Sequence, residues 1–193
     1  ALTQNYNLNM AGGADKLAYN ASFGTQDQEG IIKGNDNTRY TGRLNVTQKF
    51  LEDRLHLDVN LGVTYNKTLR PSVSGLIGDA ISNNPTYPAY DAQGKPAAYV
   101  TASNPLTTLA LEKNLTTGTR IIGNFSPSFN IIKGLTYKLN FGIDNSNYTT
   151  NNQSLPNAVP LRDGRLETFY NTGNNKLIEN YLTYERNSCL LYT

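Results

Sequence analysis

Strict alternation of apolar and polar residues is the feature that most constrains this chain. In the stretch LHLDVNLGVTY, from Leu55 to Tyr65, apolar side chains hold every odd position and His, Asp, Asn, Gly and Thr hold the even ones. Successive side chains of a β-strand point to opposite faces, so this stretch predicts a strand with one apolar and one polar face. The pattern alone leaves two architectures open. The apolar face packs inside a soluble sandwich, or it contacts lipid outside a membrane barrel.

The same alternation returns along the chain and predicts an all-β, antiparallel up-and-down meander of about seven strands. The further alternating stretches are residues 2–10, 16–24, 38–50, 119–131, 135–144 and 176–185. Pro127 falls inside one of these strands, where its missing N–H removes one hydrogen bond from the ladder. Seven strands are too few to close a bacterial barrel, because the smallest have about eight. The chain is therefore expected to be an incomplete barrel segment.

The connections between the predicted strands alternate in length. Residues 11–15, 51–54 and 132–134 make tight turns, whereas residues 25–37, 66–117 and 145–175 make long loops. Short turns at one end and long loops at the other are typical of outer-membrane barrels. Compact soluble domains rarely contain loops beyond about 12–15 residues, so the asymmetry favours the lipid-facing interpretation.

The longest loop is expected to carry two short helices. One is predicted from Val73 to Ile81, and it should stop before Pro85 because a proline disfavours helix in the residue that precedes it. The other is predicted to begin at Asn104 as N-cap, with Pro105 in the first helical position.

The lipid-facing interpretation assigns a role to each face of the predicted strands. The residues expected to face lipid are Leu55, Leu57, Val59, Leu61, Val63, Leu139 and Phe141. The residues expected to line a wet lumen are Arg39, Arg43, His56, Asp58, Arg120 and Lys138. Tyrosines near strand ends, such as Tyr40 and Tyr65, are expected in the aromatic girdle at the membrane interface.

The composition excludes several classes of partner. The net charge is +2 and the Lys and Arg residues are scattered along the chain, so no nucleic-acid partner is expected. Charged residues make up 17% of the chain, below the roughly 25% of typical soluble domains. The 13 tyrosines and 16 glycines of this weakly charged chain fit an all-β protein. No apolar stretch is long enough for a transmembrane helix.

The sequence predicts no catalytic residue, no metal site and no cofactor, and hence no enzymatic activity. His56 is the only histidine and is interpreted as a solvated lumen residue. Cys189 is the only cysteine, so no internal disulfide is possible. Zinc-ligand spacings, phosphate-binding glycine loops and nucleophile elbows are absent from the sequence.

Tyr87, Tyr90 and Tyr99 in the longest loop are the candidate ligand contacts. Aromatic rings on an outward loop can stack on sugar faces or anchor a partner protein. The alternative interpretation is that these rings pack the loop onto itself.

Several segments together resemble SusC/RagA-family TonB-dependent transporters of Bacteroidetes. They are NYNLNMAGGADKLAYNASFGTQDQEGIIKGNDNTRYTGRLNVTQKF, NNPTYPAYDAQGKP, NPLTTLALEKN, TRIIGNFSPSFNIIKGLTYKLNFGIDNSN and LIENYLTYE. The resemblance covers nearly the whole chain in one order. It implies that residues 1–193 are part of a barrel domain of about 22 strands with a plugged lumen.

The resemblance also implies a function and partners. The family imports glycans or peptides across the bacterial outer membrane, with a SusD-like lipoprotein capping the barrel and TonB acting on the plug. Outer-membrane lipid is the expected surrounding. The plug domain and the remaining strands are expected to be missing from this chain, which should not transport alone. The ending RNSCLLYT breaks the alternation and predicts a truncation or an altered reading frame. A soluble all-β binding module or adhesin, and a different porin-type barrel, remain the alternatives.

Overall fold

The computed structural model describes residues 1–71, 73–99, 104–158 and 161–186. Within these residues, most of the chain forms one seven-stranded antiparallel sheet with the strand order β1-β2-β3-β4-β5-β6-β9. The elements, in chain order, are β1 (Thr3–Ala14), β2 (Leu17–Glu29), β3 (Asp36–Phe50), β4 (Leu55–Arg70), α1 (Val73–Ser82), α2 (Pro105–Leu111), β5 (Glu112–Ile132), β6 (Leu135–Ser154), β7 (Asn157–Ala158), β8 (Leu161–Arg162) and β9 (Arg165–Tyr184). The predicted all-β meander of about seven strands is confirmed, and β7 and β8 add a small separate ladder.

The register of the sheet places like side chains opposite one another. Leu61 lies between Leu44 of β3 and Gly123 of β5, and Phe125 lies between Val59 of β4 and Phe141 of β6. Residues directly opposite in neighbouring strands share a face. We call the face that carries Leu61 and Phe125 the apolar face, and the face that carries Asp58 and Arg120 the polar face.

The strands are longer than the alternation predicts, so the predicted loops 25–37, 66–117 and 145–175 are wrong in extent. The observed connections on that end of the sheet are residues 30–35, 71–111 and 155–164. The alternation stops early because both faces become polar near these ends. Thr117 pairs with Thr149 on the apolar face, and Thr116 pairs with Thr150 on the polar face. Backbone hydrogen bonds continue regardless of side-chain polarity, so the ladder extends past the end of the pattern.

The turns at the opposite end are tight, as predicted, and two of them are shorter than expected. Residues 15–16 replace the predicted turn 11–15, and residues 133–134 replace 132–134, whereas the turn 51–54 has its predicted bounds. Leu51, Glu52 and Asp53 have φ values of 52°, 53° and 65°. This left-handed conformation is strained for residues with a Cβ. The turn is held by the Arg54 N–H donating to Leu51 O at 3.1 Å.

Pro127 interrupts the sheet locally. The β5–β6 ladder pairs Phe125 with Phe141 and resumes at Ser128 with Lys138, without pairing residues 126 and 127. A proline has no N–H to donate, so the ladder opens at this position.

Both predicted helices are present in the connection 71–111. Helix α1 spans Val73–Ser82, and α2 spans Pro105–Leu111 with Asn104 as its N-cap. The Leu106 N–H donates to Asn104 Oδ1 at 3.0 Å, and Pro105 occupies the first turn. None of the helices in the described part of the chain is long and apolar enough to cross a membrane.

The apolar face of the sheet is not covered by another element among the described residues. Its side chains are exposed, with Leu8, Phe23 and Ile178 at 62%, 53% and 63% of full exposure. The buried apolar side chains that the structure describes, Leu76 and Ala97, lie in the connection 71–111 and not on the sheet. An apolar sheet face of this size requires lipid or another protein layer against it.

Candidate functional site

The polar face of the sheet brings together the six residues predicted to line a lumen. Thr64 pairs with Arg120, and Ser128 pairs with both His56 and Lys138. Arg39, Arg43 and Asp58 share this face through their pairs Asn66, Gly62 and Thr47. The seven residues predicted to contact lipid share the opposite face, because they alternate with these positions or pair with apolar-face residues. What each face contacts remains a prediction.

A band of hydrogen bonds crosses the polar face beside Pro127. Thr47 Oγ1 donates to Asp58 Oδ1 at 2.8 Å, and Ser126 Oγ donates to Asn140 Oδ1 at 2.6 Å. Asn140 Nδ2 then donates to Glu179 Oε2 at 2.9 Å. Ser126 is 5% exposed, so these bonds satisfy one of the few buried polar side chains. The band fixes side-chain positions where the ladder is open. The sequence prediction omitted Glu179, although its parity within β9 already placed it on this face.

Arg120 and Asp144 form an ion pair on the polar face. Arg120 Nε lies 2.9 Å from Asp144 Oδ1, and a terminal guanidinium nitrogen lies 2.6 Å from Oδ2. Two parallel hydrogen bonds hold the guanidinium in one orientation. The Arg120 guanidinium therefore already has a hydrogen-bonding partner within the sheet.

His56 is engaged in the turn 51–54. Its Nε2 lies 2.9 Å from the carbonyl oxygen of Asp53, and Asn130 Nδ2 donates to the same oxygen at 3.3 Å. Among the described residues, no group of three or more His, Cys, Asp or Glu could hold a metal ion. Cys189 and the ending 187–193 lie outside the described residues.

The three candidate loop tyrosines occupy different environments. The Tyr87 and Tyr99 rings pack with centroids 5.0 Å apart, and the Tyr99 hydroxyl donates to Pro88 O at 2.6 Å. Tyr87 and Tyr90 are 41% and 54% exposed. Tyr99 therefore packs the loop onto itself, whereas Tyr87 and Tyr90 present ring surface to the outside.

Asn104 organises this loop beyond its predicted role as N-cap. It is 3% exposed, and its Nδ2 donates to Ala89 O at 3.0 Å and to Ala97 O at 2.9 Å. One amide therefore ties residues 89–97 to the start of α2. The sequence signal for the cap was local, but the two carbonyls are distant in sequence and could not be predicted from it.

Comparisons with known proteins identify relatives of which this chain covers only a small part. No family model matches the chain. TonB-dependent receptor SusC of Bacteroides thetaiotaomicron is 30% identical over 90 residues, 47% of this chain and 9% of that protein. TonB-dependent receptor P26 of Formosa agariphila is 29% identical over 171 residues, 83% of this chain and 17% of that protein. The chain thus spans less than a fifth of these curated relatives.

Solved structures of similar shape cover almost the whole chain. The RagAB peptide importer in its "closed-closed" state matches with a TM-score of 0.78 and 22% identity, over 97% of this chain and 22% of that one. Its "open-open" state matches with a TM-score of 0.76 and 23% identity, over 94% and 22%. The sheet has the fold of a wall segment of such a barrel.

Proposed function

We propose that this chain is part of a SusC/RagA-type TonB-dependent transporter of the bacterial outer membrane. The resemblance of its sequence, its similarity to two TonB-dependent receptors and its fold support this proposal. The chain forms part of a barrel wall through which glycans or peptides are imported. Its apolar face contacts lipid and its polar face lines the water-filled interior. A SusD-like lipoprotein, TonB and the surrounding lipid are the proposed partners.

The distribution of charge on the apolar face carries this proposal. One row of paired residues crosses the sheet through Tyr6, Tyr40, Tyr65 and Thr119. On the turn side of this row, the apolar face of β1 to β6 has no charged residue. On the loop side, Asp27 and Lys67 follow the row directly on that face, and Glu29, Asp36 and Lys113 lie farther along it. Such a boundary is expected at the edge of a lipid layer, and it supports the proposed orientation. The edge strand β9 is an exception, because Lys176 lies on the apolar face opposite Ile143, on the turn side of the row.

The height of the charge-free band fits a membrane. From Leu55 to Tyr65, β4 advances about 34 Å at roughly 3.4 Å per residue. A strand tilted by about 40° therefore spans about 25 Å, the height of the apolar band of outer-membrane barrels.

Aromatic side chains lie at both borders of the band. At the loop border, the Tyr40 and Tyr65 rings stack with centroids 6.3 Å apart. At the turn border, Phe129 pairs with Tyr137 on the apolar face. Rings at the two interfaces are the girdles expected of a membrane barrel.

The positions of the grooves support the proposal that the polar face is the inner side of the barrel wall. Grooves of about 810, 470 and 430 Å³ are lined mainly by polar-face side chains, including Asp58, Asn66 and Arg43. Grooves form on the side toward which a sheet curves, and the inner side of a barrel wall is such a side.

Outside this wall, Tyr87 and Tyr90 are the proposed contacts for substrate or for the capping lipoprotein, and Tyr99 supports them.

Cysteine labelling of neighbouring residues tests the proposal. Asn60→Cys and Leu61→Cys, each made with Cys189→Ser, place one thiol on each face at the same height. In the membrane-assembled protein, a small water-soluble methanethiosulfonate should modify position 60 much faster than position 61. In the denatured protein, the two rates should be equal, which is the control. Equal rates in the assembled protein, or faster reaction at 61, would contradict the proposed orientation.

A further inference from the structure

The positive and negative charges of the polar face are segregated between strands. On β1, β2 and β3 this face carries Arg39, Arg43 and Lys49, and every carboxylate of these strands lies on the apolar face. On the remaining strands of the polar face, cations and carboxylates are mixed, as in the Arg120–Asp144 pair. The first three strands therefore present a positive inner surface.

Arg39 and Arg43 have no partner of their own among the described residues. Both side chains are exposed, and no hydrogen bond or ion pair within the described chain engages either guanidinium. A guanidinium presents five N–H donors in a planar fork that matches a carboxylate. The two arginines thus retain their full donor capacity on the inner surface.

The side chains between and beside the two arginines are small, and two of them lie directly over Gly24. Gly24 lies in the row between those of Arg39 and Arg43, paired with Asn7 and Thr41. A Cβ at Gly24 would meet Asn7 Oδ1 at 2.7 Å and Thr41 Oγ1 at 2.8 Å. Arg43 is itself flanked by the small residues Ser22 and Gly62. No bulky neighbour covers either guanidinium.

Amide side chains line the grooves beside the two arginines. A groove of about 430 Å³ beside Arg43 is lined by Asn7, Asn9 and Asn20, and one of about 210 Å³ beside Arg39 is lined by Asn5 and Asn7. Amides supply further N–H donors without adding a negative charge. Arg39 and Arg43 are four positions apart along β3, a distance of about 13 Å, so they can engage two carboxylates of one oligomer.

We propose that Arg39 and Arg43, with Asn7 and Asn9, form an arginine patch that binds carboxylate groups of the imported oligomer. This inference rests on the proposed function, because it requires the polar face to line the import route. It narrows the substrate class to oligomers with carboxylates a few residues apart, such as acidic peptides or uronic-acid glycans.

Binding of matched charged and neutral probes to the full-length transporter in detergent tests the patch. The probes are tri-glutamate against tri-glutamine, both amidated at the C-terminus, and tri-galacturonate against its methyl ester. The variant is Arg39→Gln/Arg43→Gln, and Lys67→Gln is the matched control that removes a cation from the opposite face. At least one charged probe should bind more tightly than its neutral form, and the double variant should lose about tenfold or more. The control should be unchanged. Preference for only one charged probe identifies the source of the carboxylate.

Two results would overturn the patch: neither charged probe is preferred, or the double variant binds the preferred probe as wild type does. The cysteine labelling at positions 60 and 61 separates this failure from that of the proposed function. If position 60 reacts preferentially and the probes do not discriminate, only the arginine patch is wrong. If position 60 does not react preferentially, the orientation of the wall is wrong as well.

Discussion

Replacing Asn104 tests how the loop that carries the candidate tyrosines is held in place. The side chain makes three hydrogen bonds, as acceptor from the Leu106 N–H and as donor to Ala89 O and Ala97 O. Asn104→Asp keeps the acceptor but loses both donors, whereas Asn104→Ala loses all three bonds. The pair therefore separates the cap from the connection to residues 89–97.

The expected magnitudes follow from burial. Ala97 is 6% exposed, so its carbonyl loses its partner in a buried position. That loss costs about 1–3 kcal/mol, and the more exposed Ala89 bond adds about 1 kcal/mol. Asn104→Ala should thus destabilise the loop by about 3–5 kcal/mol, because the N-cap is lost as well as both donors. Asn104→Asp keeps the N-cap but should cost more than about 2–4 kcal/mol, because its carboxylate also faces the two carbonyl oxygens.

Hydrogen exchange of backbone amides in the assembled protein is the assay. In Asn104→Asp, the Leu106 amide should stay protected while residues 89–97 exchange faster. In Asn104→Ala, both regions should exchange faster. The amides of β3 and β4 beside the turn 51–54, at the opposite end of these strands from the loop, are the internal control. If Asn104→Ala leaves exchange at residues 89–97 unchanged, the amide does not organise the loop and the argument fails.

Three further substitutions test the sheet itself. Gly118→Ala should weaken the β5–β6 pairing, because its Cβ would overlap the Tyr148 ring. Gly118→Ala/Tyr148→Ser should recover the thermal stability that the single variant loses. Asp53→Gly should raise resistance to chemical denaturation by about 1 kcal/mol, because glycine adopts the positive φ of 65° without strain. Leu61→Arg should reduce outer-membrane assembly, because an arginine near the lipid midplane costs about 2–4 kcal/mol. Asn60→Arg on the polar face should assemble normally, and equal assembly of the two variants would contradict the lipid-facing assignment.

The sequence predicts the sheet wherever the two faces differ in polarity. The alternation from Leu55 to Tyr65 predicts strand β4 and its two faces. Asn104 and Pro105 predict the residue at which α2 begins. The strand extensions were missed because Thr116 and Thr150, or Asn114 and Asn152, pair on a face that no longer contrasts with the other. Their pairing depends on backbone hydrogen bonds between strands far apart in sequence, which no local pattern encodes.

The sequence likewise predicts part of the candidate site and misses the rest. Parity within a strand is enough to place Arg39 and Arg43 on the polar face, since only local geometry is needed. It does not reveal that Arg120 has Asp144 as a partner while the two β3 arginines have none. That difference depends on which strands are neighbours, and it changes the interpretation of chemically identical side chains from structural to ligand-binding.

The missed strand extensions also bear on what the loop tyrosines can contact. Strand β4 continues from Tyr65 to Arg70, past the border of the charge-free band. Five further residues advance it by about 17 Å along the strand, or about 13 Å above the lipid border at a tilt of about 40°. The connection that carries Tyr87 and Tyr90 starts from this raised rim, whereas Tyr40 and Tyr65 lie at the border itself. In the proposed orientation, the two pairs of tyrosines therefore serve different surfaces: the rings at the border would lie in the membrane interface, and the rings on the loop would meet water, substrate or another protein.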